Sequence, residues 1–196
     1  PQATGVLILA LGKATKLIGR LEKLDKEYVA QMTLGMRSDT QDSTGTIVSR
    51  SPWEHISEEQ VREMLARFVG EIVQVPPMVS ALKHKGKPLY EYARRGIEIP
   101  REGRTVTIHS IGGVRCELPV VYMTVRCSKG TYIRTLCDDV GERLGCGAVL
   151  SGLVRSAVGP FSLAESVKCD EIENIGAVLI PPDKMLGRLP MEQRPL

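Results

Sequence analysis

Few side chains of this 196-residue sequence stand where their type and spacing could do chemistry. Asp39 and Asp42 lie in a polar loop, RSDTQDSTG, that runs from Arg37 to Gly45. Two carboxylates so close could bind a metal or act on a substrate. The same pattern also serves plain Asx-turn capping, because aspartate readily bonds the backbone two residues on. Arg134 falls one turn into a helix that follows the Lys129-Gly130 turn, where the helix dipole disfavours a cation. A residue placed against local preference calls for an anionic partner; the alternative is a surface arginine with its head in water. Tyr28 opens a strand after Asp25-Lys26-Glu27, either as a half-buried core residue or as a platform on which a base stacks.

Other chemistries find no support. The sequence has no GxxxxGK[ST] or GxGxxG phosphate loop and no GxSxG nucleophile elbow. Its five cysteines (Cys116, Cys127, Cys137, Cys146, Cys169) form no CxxC pair, and three scattered histidines (His55, His84, His109) add no zinc spacing. No metal site is expected, and the thiols read as buried and free in a reducing compartment. Apolar runs such as Val6–Ala10 are far short of the roughly 18 residues that span a bilayer, so no membrane partner is expected.

The net charge is only +3, but it is unevenly spread. Residues 74–104 hold seven Lys or Arg against three Glu, which leaves the rest of the chain slightly acidic. A basic segment on a near-neutral body suits a polyanionic partner, or it is a solvated basic loop.

The elements that must position these residues are legible in outline. Val6–Ala10 reads as a buried strand, and Leu17, Ile18, Leu21 and Leu24 fall at helical spacing within Lys13–Leu24. Alternation from Tyr28 to Met36 predicts a strand, and Ile47-Val48 starts another. The helix from Glu58 to about Val69 has Ser57 and Gln60 as a capping box, Ile56 and Val61 as a staple, and Gly70 as a C-cap. Leu89–Arg95 predicts a short helix, Arg104–Ile111 and Val120–Cys127 predict strands, and the segment TYIRTLCDDVGERLG predicts a helix. Interspersed helices and hairpin-like strand pairs, with no βαβ repeat, give an α+β fold with a mixed, largely antiparallel sheet flanked by helices. The start at Pro1 reads as the interior of a domain. The closing LGRLPMEQRPL reads as a linker, with residues 191–196 outside a domain of residues 1–190.

An ordered set of segments carries a family resemblance. PQATGVLILALGKATKL, LDKEY, SDTQDSTG, VPPMVSALKHKGKPLYEYARRG, GTYIRTLCDDVGERLG and LVRSAVGPF resemble successive motifs of the bacterial TruB-type tRNA pseudouridine synthases, from Pro1 to about Pro190. The resemblance implies the pseudouridine synthase catalytic fold and isomerisation of uridine 55 in the TΨC loop of tRNA, with base flipping and without cofactor or metal. It implies a monomer in the cytoplasm, or in an organelle if the source is eukaryotic. Tyr28 matches the family tyrosine that stacks on the uracil and takes part in proton transfer, and Arg134 the arginine that pairs with the catalytic aspartate. Leu153 matches an apolar residue near the base, Tyr132 falls in the same pocket wall, and Asp42 falls in a motif near the cleft. Lys83, Lys85, Lys87, Arg94 and Arg95 belong to a segment, residues 74–104, that resembles the family's RNA-clasping insertion.

The family's nucleophilic aspartate stands immediately before the position of Pro1, and its C-terminal RNA-binding domain falls outside the resemblance. These 196 residues alone are therefore expected not to catalyse, and Asp25, Asp39 and Asp42 are not expected to replace the nucleophile. The alternatives are a non-catalytic tRNA-binding or RNA-chaperone protein on the same fold and, less favoured by the KHKGKPLYEYARRG stretch, the guide-RNA-dependent synthase subunit of archaeal and eukaryotic particles.

Overall fold

A computed structural model describes residues 3–191. Pro1, Gln2 and residues 192–196, the last five of the expected linker, lie outside the described residues. In chain order, β1 (Thr4–Gly5) is followed by a 3-10 turn over Gly12–Leu17 and α1 (Ile18–Leu21). Next come β2 (Lys26–Leu34), β3 (Met36–Ser38), β4 (Ile47–Arg50), α2 (Glu58–Ala66) and β5 (Gly70–Gln74). The basic segment builds the small hairpin β6 (Lys83–His84) and β7 (Lys87–Pro88), then α3 (Leu89–Ala93). The remainder is β8 (Arg104–Glu117), β9 (Val120–Cys127), α4 (Ile133–Leu144), β10 (Ala148–Val158), β11 (Phe161–Ser162), α5 (Ile175–Val178) and α6 (Pro182–Arg188).

Seven strands make one mixed sheet in the order β1-β10-β2-β9-β8-β5, with β11 on β10. Among the described strands of this sheet only the β1–β10 pair is parallel. The α+β expectation therefore holds. Alternation decides which face is covered. On β2, Ala30, Met32 and Leu34 are buried, and their cross-strand partners Met123 and Val121 on β9 and Leu153 and Leu150 on β10 point the same way. The helix α4 lays Ile133, Leu136, Cys137 and Val140 onto this face, and α2 adds Val61 and Leu65. The capping box forms as expected: Gln60 N–H donates to Ser57 Oγ at 3.2 Å, and Ser57 N–H to Gln60 Oε1 at 2.8 Å.

Several expectations need correction. The chain is a strand only over Thr4–Gly5. Val6 is buried, but Leu7 and Leu9 are each 70% exposed. Beyond Arg155 that edge of β10 pairs with β11, Ala157 with Ser162 and Val158 with Phe161, so the segment after Val6 has no ladder to join. Within Lys13–Leu24 only Ile18–Leu21 is α-helical. The second helix ends at Ala66, and Gly70 instead opens β5 with φ +111°, a conformation that favours glycine. β8 runs on to Glu117, six residues past the expected Ile111, with a shift between Gly112 and Arg115. Part of the stretch read as linker packs: Leu189 is buried, with Met185 just before the stretch, against Val6, Leu21, Leu24, Val158 and Phe161. Cys127, Cys137 and Cys146 are buried thiols, Cys116 is half-buried, and Cys169 is exposed. No described helix is long and apolar enough to cross a membrane.

Helix α4 carries one electrostatic cost. Burial, then the neighbouring Asp138 and Glu142 charges, push the Asp139 carboxyl up to about 6. Between the ordinary carboxylate value and about 6, the unfolded chain has released a proton that the folded chain keeps, so stability falls as pH rises. Asp139→Asn is therefore expected to raise the melting temperature at pH 8 by about 1–3 °C, a small gain because the group is partly exposed. At pH 4 the gain should vanish. Melting curves at the two pH values check this; an equal effect at both would remove the electrostatic account.

Candidate active site

The β2–β10 ladder forms the floor of a cleft of ≈ 500 Å³. Tyr28 of β2 faces Arg155 of β10 as a cross-strand pair, and Leu153 lies opposite Ala30, two residues further along each strand. Tyr28, Leu153 and Arg155 therefore leave the sheet on the side of α4 and line the cleft together. The N-terminal end of α4 supplies Tyr132, Ile133 and Arg134, and the polar loop supplies Asp42, Ser43 and Thr44. Ala3, Thr4, Gly5 and Leu7 close another side. Gly5 is required there: at φ +100°, a Cβ would lie 2.3 Å from the Arg155 carbonyl oxygen.

The loop is held against β10. Ser43 N–H donates to the Leu150 carbonyl at 2.9 Å, and Leu150 N–H to the Gln41 carbonyl at 3.1 Å. This puts Asp42 beside the start of α4. Its Oδ1 accepts Thr44 N–H at 3.0 Å, Thr44 Oγ1 at 2.5 Å and Thr40 Oγ1 at 2.8 Å, while Oδ2 faces Arg134 Nη1 at 3.4 Å. The turn-capping reading of this aspartate is met by one oxygen, while the other pairs with Arg134. Asp39 only caps, taking Thr46 N–H at 2.9 Å. Burial pushes the Asp42 carboxyl up, but the Thr44 and Thr40 hydrogen bonds and the Arg134 charge outweigh it, and the net shift is down. Asp42 is an anion at neutral pH.

Arg134 is no solvated surface arginine. Its side chain and that of Asp42 are each 13% exposed. Its second nitrogen, Nη2, donates to the Val79 carbonyl, and its guanidinium lies 5.9 Å from the centre of the Tyr132 ring. Burial, above all, raises the Tyr28 phenol above its ordinary value, and Arg155 pulls only partly the other way. Tyr28 therefore keeps its proton at neutral pH. The structure brings Tyr28, Asp42, Tyr132, Arg134 and Leu153 to one cleft. Lys83, Lys85, Lys87, Arg94 and Arg95 are elsewhere, exposed on the β6–β7 hairpin and around α3, and none of them lines it.

Comparison with known proteins shows the family of the chain. Residues 1–133 match the model of the TruB family pseudouridylate synthase N-terminal domain, and residues 134–186 that of the tRNA pseudouridylate synthase B C-terminal domain. The chain belongs to the TruB family of pseudouridylate synthases. It is 50% identical over 195 residues to tRNA pseudouridine synthase B of Burkholderia mallei, covering 97% of this chain and 64% of that protein. It is 47% identical over 195 residues to the tRNA pseudouridine synthase B of Aromatoleum aromaticum, covering 97% and 63%. The chain thus spans less than two thirds of these relatives' length. Among solved structures, it is similar to one titled as a Cbf5–Nop10–Gar1 complex, with a TM-score of 0.66, 31% identity and coverage of 88% of this chain and 42% of that one. A second, an H/ACA RNP bound to a substrate RNA containing 2′-deoxyuridine, gives 0.57, 26%, 83% and 38%.

In this TruB-family chain the two family models meet at residues 133 and 134, the first turn of α4, whose side chains are shared by both halves of one core. A sequence reading misses Arg155, which lines the cleft, and Gln41, Asp138 and Gln74, which brace the loop and helix around it. Arg155 could have been found, since two residues past Leu153 on a strand it must share that face. Asp138 also carried a signal, a carboxylate set among the core positions Leu136, Cys137 and Val140. Its oxygens accept Arg37 Nε at 2.9 Å, Arg37 Nη2 at 2.8 Å and Gln41 Nε2 at 3.1 Å. Asp138→Ala leaves these donors without an acceptor. Arg37 is 38% exposed and can recover water, so the cost should be about 2–3 kcal/mol rather than the larger figure for a fully buried pair. Urea denaturation measures it, and a cost below about 0.5 kcal/mol would place Asp138 among ordinary surface residues.

Proposed function

We propose that the protein isomerises uridine 55 in the TΨC loop of tRNA to pseudouridine. The observation that carries the reading is the convergence of Tyr28, Arg134 and Leu153 on one cleft, the residues that the family resemblance put forward. The cleft volume of ≈ 500 Å³ lies within the roughly 300–1,000 Å³ of small-ligand pockets, so it suits a single flipped nucleotide. A base must leave its stack before its ring atoms can be reached.

The reaction breaks the bond from C1′ to N1, turns the uracil and forms the bond from C1′ to C5. The proton on C5 leaves and N1 takes one, so atoms and oxidation state balance with no redox partner. In this reading Tyr28 stacks on the uracil and, being protonated at neutral pH, offers its hydroxyl for proton transfer. Leu153 supplies the apolar contact. The resemblance puts the family's nucleophilic aspartate immediately before the position of Pro1. Ala3 to Gly5 line the cleft, and each residue spans at most about 3.5 Å, so such an aspartate is within about 10 Å of Ala3 along the chain. Arg134, held by Asp42, stands ready to pair with it. The identity to the stand-alone bacterial enzymes, 50% against 31% for the Cbf5 complex, supports substrate choice without a guide RNA.

The intact gene product should convert uridine 55 of a tRNA transcript to pseudouridine, as seen by release of tritium from C5-labelled uridine. RNA binding without product is the outcome expected of a non-catalytic tRNA chaperone. In the active enzyme, Tyr28→Phe should lower turnover by about 100-fold or more, with RNA affinity nearly unchanged. Equal losses in both would refute the role given to Tyr28. Replacing Lys83, Lys85 and Lys87 together by Ala should flatten the salt dependence of tRNA binding, by about 0.7–0.9 in log–log slope for each phosphate that is no longer neutralised. An unchanged slope would mean that the hairpin does not touch phosphate.

A further inference from the structure

Gln74 is a buried amide, 2% exposed, at the point where the basic segment leaves the sheet. It is the last residue of β5 and pairs with Arg104, the first of β8, so residues 75–103 spring from this one pair. Burying an amide is unfavourable unless both of its ends are bonded. Here both are used on a single residue's backbone. Gln74 Oε1 accepts Tyr132 N–H at 3.0 Å, and Gln74 Nε2 donates to the Tyr132 carbonyl at 3.2 Å.

Tyr132 is the N-cap of α4. It has extended backbone angles and no side-chain cap of its own, and its carbonyl also accepts the Leu136 N–H at 3.0 Å. The clamp therefore fixes where α4 begins. One residue on, Ile133 enters the core, and two residues on, Arg134 reaches Asp42. The same arginine bonds the Val79 carbonyl, inside the basic segment. Two independent contacts, at Gln74 and at Val79, thus join the root of this segment to the pocket wall.

We infer that Gln74 is a positioning residue: by clamping the Tyr132 backbone it sets where Arg134 stands, and it ties the RNA-binding segment to the uridine cleft. The inference rests on the function proposed above. Its effect on the reaction runs through Tyr132 and Arg134, with no contact to the base.

The test uses the intact gene product and a T-arm RNA substrate. Gln74→Leu keeps the bulk and loses both hydrogen bonds. It should lower kcat by about 10- to 100-fold, since small misplacements of reacting groups are costly, while KM and RNA affinity change less than about 3-fold. Gln74→Glu gives a second, independent readout. A protonated carboxyl has one donor and one acceptor, like the amide, whereas the carboxylate has no donor. Turnover of this variant relative to wild type should therefore rise as pH is lowered from about 8 to about 5.5, through the range in which a buried carboxyl takes up its proton. A purely structural residue would give no such pH signature. Wild-type kcat in Gln74→Leu, or a loss confined to KM, overturns the inference. If Gln74→Leu does not fold, a flat relative pH profile for Gln74→Glu overturns it. A wild-type protein that forms no pseudouridine overturns the functional reading and this inference with it; an active wild type with unaffected variants overturns this inference alone.

Discussion

Asp138 sends a carboxylate from α4 toward the polar loop, and the cleft depends on what that carboxylate holds. Arg37 binds it with two parallel hydrogen bonds, and the Gln41 amide adds a third. The other end of the Gln41 amide accepts the Thr135 hydroxyl at 2.9 Å, so one glutamine is gripped by two residues of the same helix. Gln41 has φ +64°, a left-handed conformation that costs a non-glycine residue about 1 kcal/mol or more. The bonds to α4 offset that strain. Asp42 is the next residue, and Arg134 lies one turn before Asp138 on the same helix. The ion pair at the cleft follows from an anchor set one residue and one helical turn away. An apolar contact in its place would bury as much surface but would let the helix rotate or slide against the loop.

The pocket is assembled from segments far apart in sequence, each delivered by a different local rule. Strand pairing sets Tyr28 against Arg155, and the twofold period puts Leu153 on the same side. The helix start sets Tyr132 and Arg134. The turn at Asp42 is closed by Thr40 and Thr44. No single element could hold the site, and a shift of register by one residue on β10 would turn Leu153 and Arg155 to the opposite face. The irregularities between Leu150 and Gly152 and between Arg155 and Ala157 pin that register.

How much was legible follows from the same physics. The period-two pattern of Tyr28–Met36 and the helical pattern of Ile133–Leu144 are local; the structure keeps the helix, and keeps the strand as far as Leu34, where Gly35 at φ +86° breaks it. The anion needed by Arg134 was inferable from its place near a helix N-terminus, but which anion was not, because Asp42 is 92 residues away. Gln41 and Gln74 carried no signal at all: a glutamine in a polar or strand-end setting looks solvated until tertiary contacts bury it. Val6–Ala10 misled because an apolar run states only that burial is wanted, while a strand also needs a partner ladder, and past Arg155 that edge of β10 belongs to β11.

Two kinds of electrostatics divide the molecule. The exposed lysines of the β6–β7 hairpin act through water, so salt screens them over about 10 Å at ordinary ionic strength. The charges of the cleft are already committed. Arg134 is balanced by Asp42 and bonded to Val79, and Arg155 Nε donates to the Val6 carbonyl at 2.7 Å. Side chains tethered in this way contribute little long-range attraction to a polyanion, but they need little rearrangement when a charged group arrives. In the function proposed above, attraction for a polyanionic backbone falls to the solvated hairpin, and geometry to the buried, hydrogen-bonded wall. Gln74 stands at the boundary between them, which is why a neutral amide, able to bond both backbone groups of one residue without adding charge to either side, suits that position better than a lysine or an aspartate would.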